Sequence, residues 1–219
     1  MLTDFRTSSG QRVRWFVLAF ARVAYRRWTR IAVRAFPYGS ARARLAMRLR
    51  VPLPDRLNMS WITPCLAVGG RIRADDVRAL AATGINSVVD TRIEDKDDES
   101  VLVGYGIDLL HLPTVDTTPL TLPQLHFGAE WINQQLRAGR KVLVHCEHGV
   151  GRSVMLATAS LIARGLTTRE ALAVVQRQRW QAAPNAHQVR QLLAYERHLR
   201  ESSPAQSVAP GIGRSKTGT

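Results

Sequence analysis

Residues 141–153 constrain the fold more than any other part of the chain. Lys141-Val142-Leu143-Val144 is a short, continuously apolar run, the pattern of a central strand covered on both faces. It passes directly into His145-Cys146-Glu147-His148-Gly149-Val150-Gly151-Arg152-Ser153, after which residues 153–164 read as an apolar helix closed by Gly165. A buried strand that turns straight into a buried helix needs packed layers on both sides, so the chain is expected to be an α/β protein. The turn also has chemical content. Its successive backbone N–H groups can face inward around an oxyanion, and the helix N-terminus adds its positive dipole end. Cys146 sits at the base of that cradle, where the same field favours a thiolate; such thiols have pKa values of roughly 3.5–7.5 against about 8.5 when free. Arg152, six residues on, offers a planar fork that fits two phosphoryl oxygens, which Lys could not match. Gly149 and Gly151 relieve the crowding of a tight, inward-facing backbone.

The rest of the chain alternates strand and helix around this unit. Residues 62–68 read as an edge strand ended by Gly69-Gly70, 74–83 as a helix stopped at Gly84, and 85–90 as a buried strand. Residues 95–100 read as a polar loop and 107–112 as a strand ending at Pro113; 121–137 form a helix with its end signal at Gly139. Thr168 opens a further helix with Glu170 and Ala171 in its first turn, and a last helix covers residues 186–199. This alternation predicts a central, mainly parallel sheet flanked by helices in three layers.

The net charge of +14 is concentrated at one end: residues 1–50 hold 12 Arg, no Lys and one acid, Asp4, leaving only +3 for the other 169 residues. A nucleic-acid surface spread over the domain is therefore not expected. Residues 11–36 have helical periodicity, with Arg22, Arg26, Arg30 and Arg34 in one stripe and Val17, Ala21, Ala24, Trp28, Ile31 and Ala35 opposite. The longest uncharged stretch there, residues 15–21, is far short of the roughly 20 residues that span a bilayer. Two readings stand: an interfacial helix on an anionic membrane, favoured by the Arg excess, or a helix packing its apolar side on the domain. A transit peptide is a weaker third, and no cleavable signal peptide is apparent. Breaks at Pro37-Tyr38-Gly39-Ser40 and Val51-Pro52-Leu53-Pro54 divide the chain into a basic helical segment (1–50), a catalytic domain (51–201) and a Ser/Pro/Gly-rich tail expected to be disordered (202–219). The two cysteines, Cys65 and Cys146, match no zinc spacing. Cys65 reads as a packed thiol rather than as a disulfide partner of Cys146.

The run H-C-x-x-G-x-x-R-S resembles the signature of the protein-tyrosine and dual-specificity phosphatase superfamily. Gly84-Ile85-Asn86-Ser87-Val88-Val89-Asp90-Thr91-Arg92, His111-Leu112-Pro113-Thr114-Val115-Asp116 and the Pro184-Asn185…Gln191-Leu192 pattern are similar to segments of small dual-specificity phosphatases, so the resemblance covers about residues 58–200. A lone cysteine reads as an inert core thiol; the company of Arg152 and both glycines makes Cys146 a reactive one. The resemblance implies the three-layer dual-specificity phosphatase fold and a two-step mechanism with Cys146 as nucleophile. Arg152 and the loop residues Glu147, His148, Gly149, Val150 and Gly151 would hold the phosphoryl group. Ser153 would hydrogen-bond the sulfur, and His145 would orient the loop. The family's general acid is an Asp on a movable loop about thirty residues before the Cys, and Asp116 fits that spacing. On residue type alone Asp116 could equally cap its loop, and Asp90 and Asp108 compete less well because each lies at or inside a strand. The resemblance requires neither metal nor organic cofactor.

Glu147 departs from the branches acting on inositol lipids, which often carry Lys beside the Cys; an acid there disfavours polyphosphorylated head groups. Residues 112–125 are similar to the general-acid loop of the phosphatidylglycerophosphate phosphatase branch. The leading expectation is a cytoplasmic phosphatase of phosphotyrosine, and of phosphoserine or phosphothreonine, in proteins. The second is a phospholipid phosphomonoesterase with peripheral contact to an anionic membrane through residues 11–36. A third, of another class, is an inactive phosphate-binding module, against which intact Cys146, Arg152 and Asp116 argue.

Overall fold

The computed structural model describes residues 40–51 and 57–202 continuously, and part of residues 20–36. Expectations for the other positions of 1–39, for most of the 51–54 boundary and for the tail from 203 lie outside the described residues.

A five-stranded sheet is ordered β1 (Met59–Thr63), β2 (Leu66–Gly69), β5 (Lys141–His145), β3 (Ile85–Arg92), β4 (Asp108–Thr114). The apolar run is thus the central strand, parallel to both neighbours; β3 and β4 are parallel too, and β1 alone is antiparallel, to β2. Ahead of the sheet lies α1 (Ala41–Arg48). The crossovers are a 3₁₀ turn (Ala74–Asp76) leading into α2 (Val77–Ala82), α3 (Glu99–Gly104) and α4 (Leu122–Arg137); α5 (Arg152–Ala163), α6 (Thr168–Gln178) and α7 (Ala186–Ser202) follow β5.

The strand period of two explains the layers. Val142 and Val144 enter one core with Val68, Val89, Leu125 and Leu156, while Leu143 enters the other with Ala67, Val88, Leu80 and Leu102. Each such side chain contributes roughly 1.5–3 kcal/mol by leaving water, so β5 can sit only where both faces are covered. Gly128 lets α4 pack against both β4 and α5, since a Cβ there would fall 2.7 Å from Leu112 Cδ1 and 2.8 Å from Leu156 Cδ1. Because β2, β5, β3 and β4 all run the same way, their C-terminal ends open on one edge of the sheet, the usual place for a site in such folds. Gly69, His145, Arg92 and Thr114 close those four strands.

The element boundaries differ from expectation for local reasons. Residues 62–68 form two strands, because Thr63 Oγ1 accepts from Cys65 N (3.4 Å) and Leu66 N (3.0 Å) and turns the chain back. The polar stretch at 95–100 is not all loop: Asp98 caps Ser100 N and Val101 N and starts α3. Residues 74–83 begin as a 3₁₀ turn rather than as helix. Pro113 lies inside β4 rather than after it, tolerated because β4 is an edge strand with an unpaired side. Capping boxes at Thr121/Gln124 and Thr167/Glu170, which sequence reasoning missed, start α4 at Leu122, one residue later than expected, and α6 at Thr168 as expected. Every described position of 20–35 is helical. Among the described positions there the buried residue is Ala32, while Ala24 and Ile31, assigned to the apolar side, are exposed.

Candidate active site

The loop joining β5 to α5 wraps around the Cys146 sulfur because its carbonyls are held outward. Glu147 O accepts from Arg71 N (3.1 Å), Val150 O from Ala183 N (2.9 Å) and Gly151 O from Met155 N (2.8 Å). Fully buried Arg179 supplies the remaining two, donating from Nε to Gly149 O (2.6 Å) and from Nη2 to His148 O (3.3 Å). With the carbonyls committed to the framework, the N–H groups turn in. Gly149 N donates to Cys146 Sγ at 3.2 Å, and the backbone N–H groups of His148 and Ser153 also stabilise the sulfur. Gly149 has φ +67°, and a Cβ there would meet Arg179 Nη2 at 2.3 Å and the Gly69 carbonyl at 2.6 Å. Only glycine lets the framework close on the loop at that point.

Burial on its own pushes the Cys146 thiol up, but the charge of Arg152, the Ser153 hydroxyl and the loop N–H groups outweigh it and hold the thiol below its ordinary value. Ser153 Oγ is 3.3 Å from Sγ and 3.4 Å from Gly69 O. Its single proton serves either acceptor and is drawn to the sulfur as negative charge grows there.

Arg152 is buried in the first turn of α5. Its Nη1 and Nη2 hold the two oxygens of Glu94 at 2.7 and 2.6 Å, and Nη1 also donates to Thr114 O at 2.8 Å. Asp116 Oδ1 lies 3.2 Å from Nη2. The hydrogen bond from Arg152 holds the Glu94 carboxyl down to about 2. The buried Nε–H has no hydrogen-bond partner among the described residues. An unmet donor of this kind costs on the order of 1–3 kcal/mol, and an oxyanion in the cradle would meet it.

A second charged cluster supports the loop from behind. Arg92, fully buried, donates to both oxygens of Asp90 (3.0 and 2.9 Å), to Asp97 Oδ1 (2.6 Å) and to Asp95 Oδ2 (3.1 Å). His145 Nε2 lies 2.7 Å from Asp97 Oδ2, and Thr91 Oγ1 donates to His145 O at 2.9 Å. Burial disfavours the imidazolium, but Asp97 and Asp90 overcome it and raise His145 above its ordinary value. Asp90, Asp97 and His145 lie close enough together to suggest a metal. The guanidinium of Arg92 already occupies that cluster as a fixed cation, so these residues do not fit one.

Of the residues expected at the site, Cys146, Arg152, Ser153 and Asp116 meet around the loop, with His145 directly beneath. Asp108 does not: it pairs with Arg140 at the far end of β4. Asp90 is committed to Arg92. The Glu147 side chain turns toward Arg92, 3.8 Å away, which offsets part of the repulsion expected of it. Cys65 and Cys146 are both free. The Cys65 carbonyl accepts from Val142 N and Cys146 N donates to the Gly69 carbonyl, so they sit at opposite ends of the β2–β5 pair. That is roughly 13 Å along the strands, too far for a disulfide.

Sequence reasoning missed Glu94, Arg92 and Arg179, and gave Asn185 no role. Asn185 Nδ2 donates to Thr117 O (2.6 Å) and Gln188 Nε2 to Thr118 O (3.1 Å). The two residues also lock each other, Asn185 N to Gln188 Oε1 and Gln188 N to Asn185 Oδ1, both at 3.0 Å. The start of α7 therefore grips the turn that carries Asp116, in which Thr117 has the strained φ of 67°. The available signal was Pro184-Asn185 immediately before a helix.

Comparison with known proteins agrees with this geometry. Residues 68–198 match the family described as dual specificity phosphatase, catalytic domain. The chain is 33% identical over 140 residues to dual specificity protein phosphatase Mpk3 of Drosophila melanogaster, spanning 62% of this chain but only 33% of that protein. It is 33% identical over 149 residues to dual specificity protein phosphatase 26 of Homo sapiens, spanning 66% of this chain and 70% of the relative. The crystal structure of Tk-PTP in its active form superposes with a TM-score of 0.60 at 30% identity, over 64% of this chain and 97% of that one. The chain belongs to the dual specificity phosphatase family and is a cysteine-dependent phosphatase.

Proposed function

We propose that Cys146 is the nucleophile, Arg152 and the loop N–H groups the phosphoryl-binding elements, and Asp116 the general acid. In the first step the Cys146 thiolate attacks phosphorus, an S–P bond forms, and the P–O bond to the leaving group breaks as Asp116 gives that oxygen a proton. The Arg152 Nε–H and the inward N–H groups between Glu147 and Arg152 balance charge on the equatorial oxygens. In the second step water attacks phosphorus, Asp116 takes its proton, and the S–P bond breaks with the Ser153 hydroxyl hydrogen-bonded to the departing sulfur. His145 positions the loop and touches no reacting atom. The observation that carries this reading is the Cys146 sulfur at 3.2 Å from Gly149 N and 3.3 Å from Ser153 Oγ, beneath a guanidinium with one unmet donor. Residues 51–201 form the catalytic unit and residues 1–50 a basic segment attached to it.

The substrate we favour is phosphotyrosine in a protein, with phosphoserine and phosphothreonine turned over more slowly. Ile93 and Val115 are 57% and 53% exposed, and each adjoins a residue that touches Arg152, namely Glu94 and Asp116. They follow β3 and β4, paired at Arg92 and Thr114, and form an apolar rim that suits a flat ring. A second reading, hydrolysis of a phospholipid monoester by a cytoplasmic enzyme peripheral to an anionic membrane through residues 11–36, is favoured by Phe20 and Ile31, which are 76% and 57% exposed in that Arg-rich helix. The deciding experiment compares kcat/KM on phosphotyrosyl and phosphoseryl peptides with that on phosphatidylglycerophosphate vesicles. The favoured reading expects the phosphotyrosyl peptide to lead by tenfold or more, and a lead for the vesicles overturns it.

A further inference from the structure

The helix α1 is built inside out for a surface helix of a water-soluble domain. Ser40 caps it by accepting from Ala43 N. It ends on Arg50 at φ 56°, with Val51 N donating to Ala46 O (2.9 Å) and Arg50 N to Met47 O (3.1 Å), the bond pattern of a Schellman stop. A helix with both ends satisfied should direct its large apolar residues inward. This one buries Ala43 and Ala46 and leaves Leu45, Met47 and Leu49 at 58%, 62% and 68% exposure. Leaving a Leu in water forgoes the free energy of its burial, so the outward face is made for an apolar environment.

Its charges say which one. Leu45 and Leu49 form one i, i+4 row, and Arg44 and Arg48 form the adjacent one. Arg42 and Arg50 are exposed as well, and no acid occurs between Asp4 and Asp55. A second copy of the chain would bring two such arginine rows together, which like-charge repulsion opposes. A surface that is apolar at its depth and anionic at its rim fits both rows at once.

We propose that α1 lies in the interface of an anionic phospholipid membrane, with Leu45 and Leu49 inserted among the acyl chains and the flanking Arg42 and Arg48 on lipid phosphates. The site is distinct from the contact proposed for residues 11–36, and the two can fail separately. The test is sedimentation of the full-length protein with vesicles of phosphatidylcholine containing about a third phosphatidylglycerol, against phosphatidylcholine alone. The wild-type chain should pellet with the anionic vesicles only. Leu45→Ser/Leu49→Ser should lower the partition coefficient at least tenfold while turnover of a soluble aryl phosphate stays unchanged, and Arg42→Gln/Arg48→Gln should flatten its salt dependence. A Phe20→Ser/Ile31→Ser variant reports on the preceding segment alone. Equal pelleting of wild type and the Leu45/Leu49 variant overturns the proposal. So does a wild-type chain that ignores vesicles and instead dimerises, or captures an acidic protein, through these leucines.

Discussion

The Arg152 guanidinium is gripped end-on by Glu94, whose two carboxylate oxygens sit 2.7 and 2.6 Å from Nη1 and Nη2. This leaves Nε as the buried donor without a partner among the described residues. Glu94 thus fixes the plane of the fork and presents one defined edge to an incoming oxyanion. Charge-assisted hydrogen bonds of this kind contribute roughly 1.5–3 kcal/mol.

Glu94→Gln keeps the shape and removes the charge. We expect kcat/KM for an aryl phosphate to fall about tenfold as the fork loosens, equivalent to ~1.4 kcal/mol of transition-state binding. With one negative charge gone from beside Arg152, the Cys146 thiol should titrate at still lower pH. The rate of alkylation by iodoacetamide against pH reads this out, and an unmoved midpoint would count against the coupling.

Asp116→Asn should lower kcat/KM for esters with poor leaving groups by ~10²–10³-fold, within the range for general acid catalysis, and scarcely change kcat/KM for a good leaving group, while kcat falls for both because breakdown of the intermediate loses its base. The ratio of kcat/KM on a good leaving group to that on a poor one reads this out, and an equal loss of kcat/KM on both would mean that another group delivers the proton.

Asn185 and Gln188 are positioning residues for Asp116. Asn185→Ala frees the Thr117 carbonyl and Gln188→Ala the Thr118 carbonyl, allowing the strained turn to relax. Each should mimic a mild Asp116→Asn, lowering kcat/KM about tenfold and only for poor leaving groups, with the Cys146 alkylation profile unchanged. A uniform loss over all leaving groups would mark these residues as merely structural.

The His145–Asp97 contact ties stability to pH. Because the folded-state value of His145 is raised above 6.5, its contribution is complete below 6.5 and is lost as pH rises through the higher folded value. The Tm of wild type should therefore decline across that interval. Asp97→Asn should have a lower Tm at pH 6 and a flatter profile above it. Parallel profiles would contradict the assignment.

The parts of the site that lie in one contiguous run were legible in the sequence. Cys146, Arg152 and Ser153 share a single strand–turn–helix, so their meeting around one loop follows from spacing and from the two glycines. The acid role proposed for Asp116 rests on the family resemblance, because nothing local separates a proton donor from a loop cap. Glu94, Arg92 and Arg179 were not legible. Their roles arise where strand ends converge on one edge of the sheet, and a sequence holds no record of which carbonyl Arg179 will meet some thirty residues away. The fold behaved likewise: β5 and the capped helices were readable from periodicity and end signals. The β1–β2 hairpin was hidden because its reversal depends on one threonine hydroxyl.

The central claim is that phosphate passes through Cys146. Rapid acid quench of the Asp116→Asn protein during turnover of a radiolabelled aryl phosphate tests it most directly, since loss of the acid and base group slows breakdown of the intermediate. The account predicts near-stoichiometric label in an acid-stable thiophosphate mapped to the peptide containing Cys146, and none in Cys146→Ser. Label on another residue, or full turnover by Cys146→Ser, would contradict it.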